Sequence, residues 1–168
     1  LLAIHGFGQG QVQVVPLHMA LIASAVANGG TMMTPHVVES TRTSTGAVIS
    51  TTNPTPWKVA MATTTADTLR QLMIGVVQSG TASCCMQLAN GVVAAAKTGT
   101  AQLNPEGQKQ RSHAWITAFA PAGPGETPRV VVAVMLKGVN DTISAGTGGH
   151  LAGPIAKKML DKALTVIP

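Results

Sequence analysis

Apolar residues fall at helical spacing in three stretches of this chain and in extended runs in three others. Leu69, Leu72, Met73, Val76 and Val77 follow the i, i+3, i+4, i+7, i+8 pattern, which predicts a helix over 65–78 with Thr65 as N-cap and Gly80 as its stop. Pro16 suits a first helical turn, Leu17, Ala20, Leu21, Ser24 and Ala25 share a face, and Asn28-Gly29-Gly30 ends that helix. The last helix runs over 153–164, with Ala156, Met159, Leu160, Ala163 and Leu164 on one face and Lys157, Lys158, Asp161 and Lys162 on the other. The extended runs are Val92 to Gln102, His113 to Ala120 and Arg129 to Lys137, the last two joined by the Pro/Gly-rich reversal 122–128. Short connections favour an antiparallel meander in chain order. Between them lie a glycine-punctuated loop at His5 to Gln11, a polar loop at Leu103 to Arg111 and a glycine-rich loop at Gly138 to His150. Thr31 to Lys58 is Thr/Ser/Pro-rich and reads as a surface hairpin, with Val37-Val38 and Ala47-Val48-Ile49 flanking the turn Ser44-Thr45-Gly46. No repeat, low-complexity segment or domain boundary interrupts 1–168.

Composition narrows the classes. With 168 residues, 45% of them hydrophobic, the chain can bury a core as one domain. Aromatic residues make up 2% and tyrosine is absent, so Ala, Val, Leu, Ile and Met must build that core, and nucleic-acid binding by base stacking is disfavoured. The net charge of +5 comes from scattered residues apart from Lys109 with Arg111 and Lys157, Lys158 and Lys162, read first as solvated faces and second as a bias toward anionic partners. Val130 to Leu136 is the longest apolar run and is too short to cross a bilayer. Without a signal peptide or an initiator Met, the chain is expected to be a piece of a longer polypeptide. Cys84 and Cys85 are neighbours, which argues for two thiols rather than a strained disulfide and offers no zinc-ligand spacing. The eight methionines share no spacing and read as core filler.

The chemistry concentrates at Lys97-Thr98-Gly99-Thr100-Ala101, after the small apolar run Val92 to Ala96. A cation, two hydroxyls and a glycine on one short edge can bind an anion and let another backbone approach. Gly91 to Thr98 nearly matches a phosphate-binding loop, but Ala96 stands where glycine is required and no helix can follow Gly99. Alone, Lys-Thr-Gly would read as an edge strand with a solvated lysine. His113, His150 and Trp115 read as structural residues, and nothing pairs with His5.

The neighbouring blocks change that reading. Gly6-Phe7-Gly8-Gln9-Gly10 with Val15-Pro16-Leu17 and Ala27-Asn28-Gly29-Gly30, then Val76-Val77-x-x-Gly80-Thr81-Ala82, Lys97 to Gln102, and His113-Ala114-Trp115-Ile116 to Pro121 occur in one order over nearly the whole chain. In this the chain resembles the C-terminal half of the transpeptidase domain of class B, monofunctional penicillin-binding proteins. Met33-Thr34-Pro35-His36 is similar to actinobacterial members. The K-T-G tripeptide is among the signatures of these proteins and of class A β-lactamases.

The resemblance implies the α/β serine-transferase fold, an antiparallel sheet flanked by helices, of which 1–168 supplies the C-terminal portion. It implies a peptidoglycan D,D-transpeptidase that cross-links D-Ala-D-Ala stem peptides through an acyl-serine and is acylated by β-lactam antibiotics. Lys97 would assist proton movement and attract the substrate carboxylate, and Thr98 and Thr100 would offer it hydroxyls. Gly99 would keep the strand open, and the Thr100 backbone N–H would be one oxyanion-hole donor. No serine here has a lysine three positions on and no Ser-x-Asn occurs, so the nucleophile and its base would lie in the N-terminal remainder of the domain, and the chain alone would be inactive. No metal or organic cofactor is implied. Further partners would be proteins of a cell-wall synthesis complex serving cell shape or division, with the protein anchored in the cell membrane by a segment outside this chain. A penicillin-sensing receptor domain or a non-catalytic cell-division module are the alternatives.

Overall fold

A computed structural model describes residues 2–6, 8–10, 12–105 and 107–167; Phe7 and Gln11 of the glycine loop and Glu106 of the polar loop lie outside the described residues. The chain forms α1 (Leu2–Gly6), α2 (Pro16–Ala27), β1 (Thr31–Met33), β2 (Ser40–Arg42), β3 (Val48–Thr51), β4 (Pro56–Val59), α3 (Thr63–Gln78), β5 (Ala95–Gln102), β6 (Ser112–Ala120), β7 (Val130–Leu136), α4 (Asp141–Ala145) and α5 (Gly153–Val166). A 3-10 turn at Ala89–Gly91 precedes β5, and a π-helical turn at Gly148–Ala152 leads into α5.

The central sheet is antiparallel in the order β5-β6-β7, as the meander reading expects. Ala95 pairs with Phe119, Lys97 with Thr117, Gly99 with Trp115 and Ala101 with His113, while Thr117 also faces Ala133 on β7. β6 is the middle strand, and its run from Ile116 to Ala120 is buried throughout. Such a strand needs small or β-branched residues on both faces, which Ile116, Thr117 and Ala118 supply. The first strand begins at Ala95 rather than Val92, because the 3-10 turn and its exit consume the residues before it.

Two apolar clusters sandwich the sheet. On one face Ala96, Ile116, Ala118, Val132 and Val134 meet Ala152 at the end of the π-helical turn and Ala156 and Leu160 of α5, with Val77 of α3. On the other, Ala95 and Phe119 meet Val26 of α2 and Ile74 of α3. Arg70 of α3 latches the β6–β7 reversal, its guanidinium donating to the carbonyls of Ala122, Gly123 and Glu126 at 3.1, 2.8 and 2.7 Å. At β7 the sheet stops: among the described residues only β6 pairs with it.

Several expectations need correction. α3 begins at Thr63, and Thr65 lies inside it; the N-cap position falls to Ala62, which has no side-chain acceptor, and the Thr63 hydroxyl donates to the Gly29 carbonyl. Its buried stripe takes in Ala66, Ile74 and Val77, so Leu72 is left 64% exposed. In α2, Ala25 is buried as expected, but Leu17 is exposed and Ala23 and Val26 are buried as well. On α5, Ala156 and Leu160 are buried as expected while Met159 is exposed.

The hairpin around Gly46 exists, but β2 starts at Ser40 and Val37 and Val38 stand outside it, exposed; β1 and β4 form a second antiparallel pair. The glycine loop opens with α1, and the 138–150 segment contains α4 and the start of the π-helical turn. Cys84 and Cys85 form a disulfide, with S–S 2.07 Å. Ring strain was the ground for expecting thiols. The consecutive turns here, with the Cys85 and Met86 N–H groups both donating to the Ala82 carbonyl, bring the two sulfurs together all the same.

Candidate functional site at the edge of β5

β5 changes character halfway. Ala95 and Ala96 are buried, whereas Lys97 is exposed and Thr98, Gly99 and Ala101 are half-buried, so the strand runs out of the core as its polar residues begin. Leu103 N–H donates to the Arg111 carbonyl, so odd-numbered residues turn their backbone groups toward β6. Thr98, Thr100 and Gln102 therefore present theirs to the open edge. The Lys97 ammonium lies along that edge, donating to the Thr98 carbonyl at 2.6 Å. Lys97, Thr98, Gly99 and Thr100 are thus brought together on an accessible strand edge.

The strand is backed by main chain. A Cβ placed on Gly148 would stand 2.6 Å from the Gly99 carbonyl oxygen and 2.1 Å from that of Trp115. Gly148 therefore rests directly on the β5–β6 pair where Gly99 itself carries no side chain. At Gly149 a Cβ would stand 2.1 Å from the Thr81 carbonyl oxygen and 3.6 Å from Cγ2 of Thr98. Only glycines allow this approach. His150 closes the turn, its Nδ1 3.0 Å from the Thr147 hydroxyl, and His113 Nδ1 accepts from the Gly138 N–H at 3.0 Å. Both histidines are structural, as their sequence positions suggest. Trp115, read as a structural residue, is half-buried.

Two residues at this edge were not singled out for chemistry by the sequence. The Thr81 hydroxyl, just beyond α3, is 2.6 Å from the Thr98 hydroxyl. Gln9 reaches the outer edge of β5, where its side-chain amide donates to the Thr100 carbonyl at 2.9 Å and its Oε1 accepts from the Gln102 N–H at 3.1 Å. Both stand within blocks of the family resemblance, which was their only signal. Among the described residues no three His, Cys, Asp or Glu side chains gather as a metal site.

This sheet, with helices on both faces and a Lys-Thr-Gly-Thr edge, is the architecture of penicillin-recognising proteins. Penicillin-binding protein A from Mycobacterium tuberculosis, as its penicillin G acyl-enzyme complex, matches with a TM-score of 0.81 at 37% identity over 97% of this chain and 35% of that one. The penicillin binding protein transpeptidase domain family matches residues 3–161, and the chain belongs to that family. The peptidoglycan D,D-transpeptidase PbpA of Mycolicibacterium smegmatis is 38% identical over 97% of this chain, and MrdA of Haemophilus influenzae 31% over 93%. The chain spans 32% of the length of the first and 24% of the second.

Proposed function

We propose that residues 1–168 are the C-terminal part of the transpeptidase domain of a peptidoglycan D,D-transpeptidase, and that β5 is the edge along which the substrate lies as it acylates the serine. The observation that carries this reading is the open edge itself: Thr98 and Thr100 turn backbone groups outward, beside an exposed cation, on a strand held from behind by Gly148 and Thr81. A serine in the N-terminal remainder of the domain attacks the penultimate D-Ala carbonyl of a stem peptide, or the lactam carbonyl of a penicillin. Negative charge collects on that oxygen, and the Thr100 N–H donates to it. D-Ala leaves, and an acceptor amine from a neighbouring stem peptide takes the acyl group and frees the serine.

The side chains divide the remaining work. Lys97 places positive charge where the serine must lose a proton and where the substrate carboxylate arrives. Thr98 and Thr100 donate their hydroxyls to that carboxylate. Thr98 has one proton to give, so with a carboxylate bound Thr81 donates to Thr98 in turn, and the pair acts as a chain. Gly99 keeps the strand bare where Gly148 packs. The substrate places the working site on the outer face of the cell membrane, with the anchor elsewhere in the polypeptide; no helix among the described residues is long and apolar enough to cross a membrane. Proteins of a wall-synthesis complex are its expected partners.

The test uses the complete protein with Thr98 and Thr100 both changed to Val, which keeps shape and β-branching while removing the hydroxyls. Wild type is expected to be acylated faster by a penicillin than by its carboxylate ester, and the double variant to lose most of that preference. Equal discrimination by both proteins places the carboxylate elsewhere and refutes the assignment of this edge.

A further inference from the structure

We infer that Gln9 is a positioning residue of the acyl-transfer site: its carboxamide stands in for one peptide group of a neighbouring strand, fixing the direction of the Thr100 N–H and setting where the open edge of β5 ends. This rests on the transpeptidase reading above and adds to it a residue about ninety positions away in the chain.

The geometry is that of strand pairing. A peptide group offers one donor and one acceptor, and so does a side-chain amide. Gln9 uses both, at 2.9 Å to the Thr100 carbonyl and 3.1 Å from the Gln102 N–H, filling the notch between two outward-facing residues. In an extended strand the N–H and C=O of one residue point to the same side. Holding the Thr100 carbonyl therefore also holds the direction of the Thr100 N–H. The next notch is formed by the Thr98 carbonyl and that same Thr100 N–H. An extended ligand laid along the edge finds the Thr100 N–H here, beside a Thr98 carbonyl that the movable Lys97 side chain holds, and finds the following notch closed by Gln9. The clamp gives the edge a defined length of one notch beside the proposed oxyanion donor.

The local sequence serves the same end. Gly8 and Gly10 flank Gln9 with φ of +80° and +75°, a conformation other residues adopt at a cost. The Gly8 N–H donates to the His5 carbonyl and the Gln9 N–H to the Ile4 carbonyl, closing a turn on the end of α1. A Cβ on Gly10 would come within 3.1 Å of the His5 ring and 3.3 Å of Ile4. Gly-Gln-Gly is thus a tight turn that projects one amide side chain onto the strand.

The experiment compares Gln9→Ala and Gln9→Glu with wild type in the complete protein, using a labelled penicillin. Glutamate keeps the size and the acceptor for Gln102 but turns an anion toward the Thr100 carbonyl, so it covers the case in which alanine disturbs folding. The amplitude of acylation counts folded molecules, and the rate at saturating penicillin reports the chemical step. We expect that saturating rate to fall about tenfold in both variants, with the dissociation constant of the encounter complex little changed. The infrared band of the acyl-ester carbonyl should move to higher wavenumber, because a loosened donor polarises it less. Wild-type rate and band position in both variants overturn the inference while the transpeptidase reading stands. A change confined to the dissociation constant also overturns it, since Gln9 would then be a ligand contact. Failure of the wild-type protein to be acylated at all refutes the underlying reading instead.

Discussion

Replacing Gly149 by Ala tests whether the π-helical turn governs the proposed substrate edge, β5. The new Cβ would stand 2.1 Å from the Thr81 carbonyl oxygen, far inside van der Waals contact, and the obstacle is backbone rather than a side chain that could rotate away. Relief requires a shift of about 1 Å between the turn and Thr81. Overpacking of this kind costs about 1–3 kcal/mol of stability. The functional cost is larger, because Thr81 holds the Thr98 hydroxyl at 2.6 Å and misplacement by about 1 Å can slow a reaction on the order of a hundredfold. The assay is the second-order rate of acylation of the complete protein by a fluorescent penicillin, with the end-point amplitude reporting the folded fraction. Gly75→Ala is the control: it lies within α3, where an added Cβ meets nothing within 4 Å. That change should leave the rate alone and add about 0.5–1 kcal/mol of stability. A Gly149→Ala protein that acylates within about threefold of wild type would refute the coupling of turn, Thr81 and Thr98.

Three further outcomes follow from the same contacts. Lys97→Ala should slow acylation by about a hundredfold or more while leaving the thermal midpoint nearly unchanged, since the side chain is exposed and solvated; differential scanning fluorimetry beside the acylation assay separates the two. Leu160→Ala removes a fully buried side chain from the cluster under α5 and should cost about 2–5 kcal/mol, read from urea unfolding. Burial raises the Asp161 pKa, but hydrogen bonds from Lys157 and the Ala89 N–H and the Lys157 charge outweigh it, leaving the carboxyl below its ordinary value. Its contribution to stability is therefore present above the unfolded-state pKa and is lost as pH falls through the lower folded value. Asp161→Asn should flatten the acid limb of the stability profile below about pH 4 and leave the slope near neutrality as it was.

What could be read from the sequence was what local periodicity encodes. The three strands and their order and much of the α3 core were legible because extended apolar runs and a 3.6-residue repeat are strong signals, whereas the candidate edge at Lys97 to Thr100 was singled out by its Lys-Thr-Gly motif and the blocks around it. The stripe on α3 was misplaced by Leu72, since apolarity alone does not say which of two neighbouring positions meets the sheet; Ile74 does. β1 and β4 escaped notice because Pro56 to Val59 are all exposed, leaving no alternation to detect. The contacts of Gln9 with β5 and of Thr81 with Thr98 join distant segments and leave no local trace. The disulfide was misjudged because ring strain was weighed without the turn around it.

The two borders of the central sheet are treated differently. Along β5, Gln9 and Lys97 blunt the open row of backbone groups with side chains. Along β7, Val130 to Leu136 present seven consecutive apolar residues whose far side pairs with nothing among the described residues. A flat, valine-rich border of this kind templates the addition of another strand, and only Arg129 and Lys137 at its two ends supply the charges that discourage it. For residues 1–168 produced alone, solubility is expected to be limited at β7, with aggregation through that border setting in before the β5 edge is disturbed. A lysine introduced near the C-terminal end of the strand, where Met135 and Leu136 are only half-buried, is the change expected to keep residues 1–168 in solution.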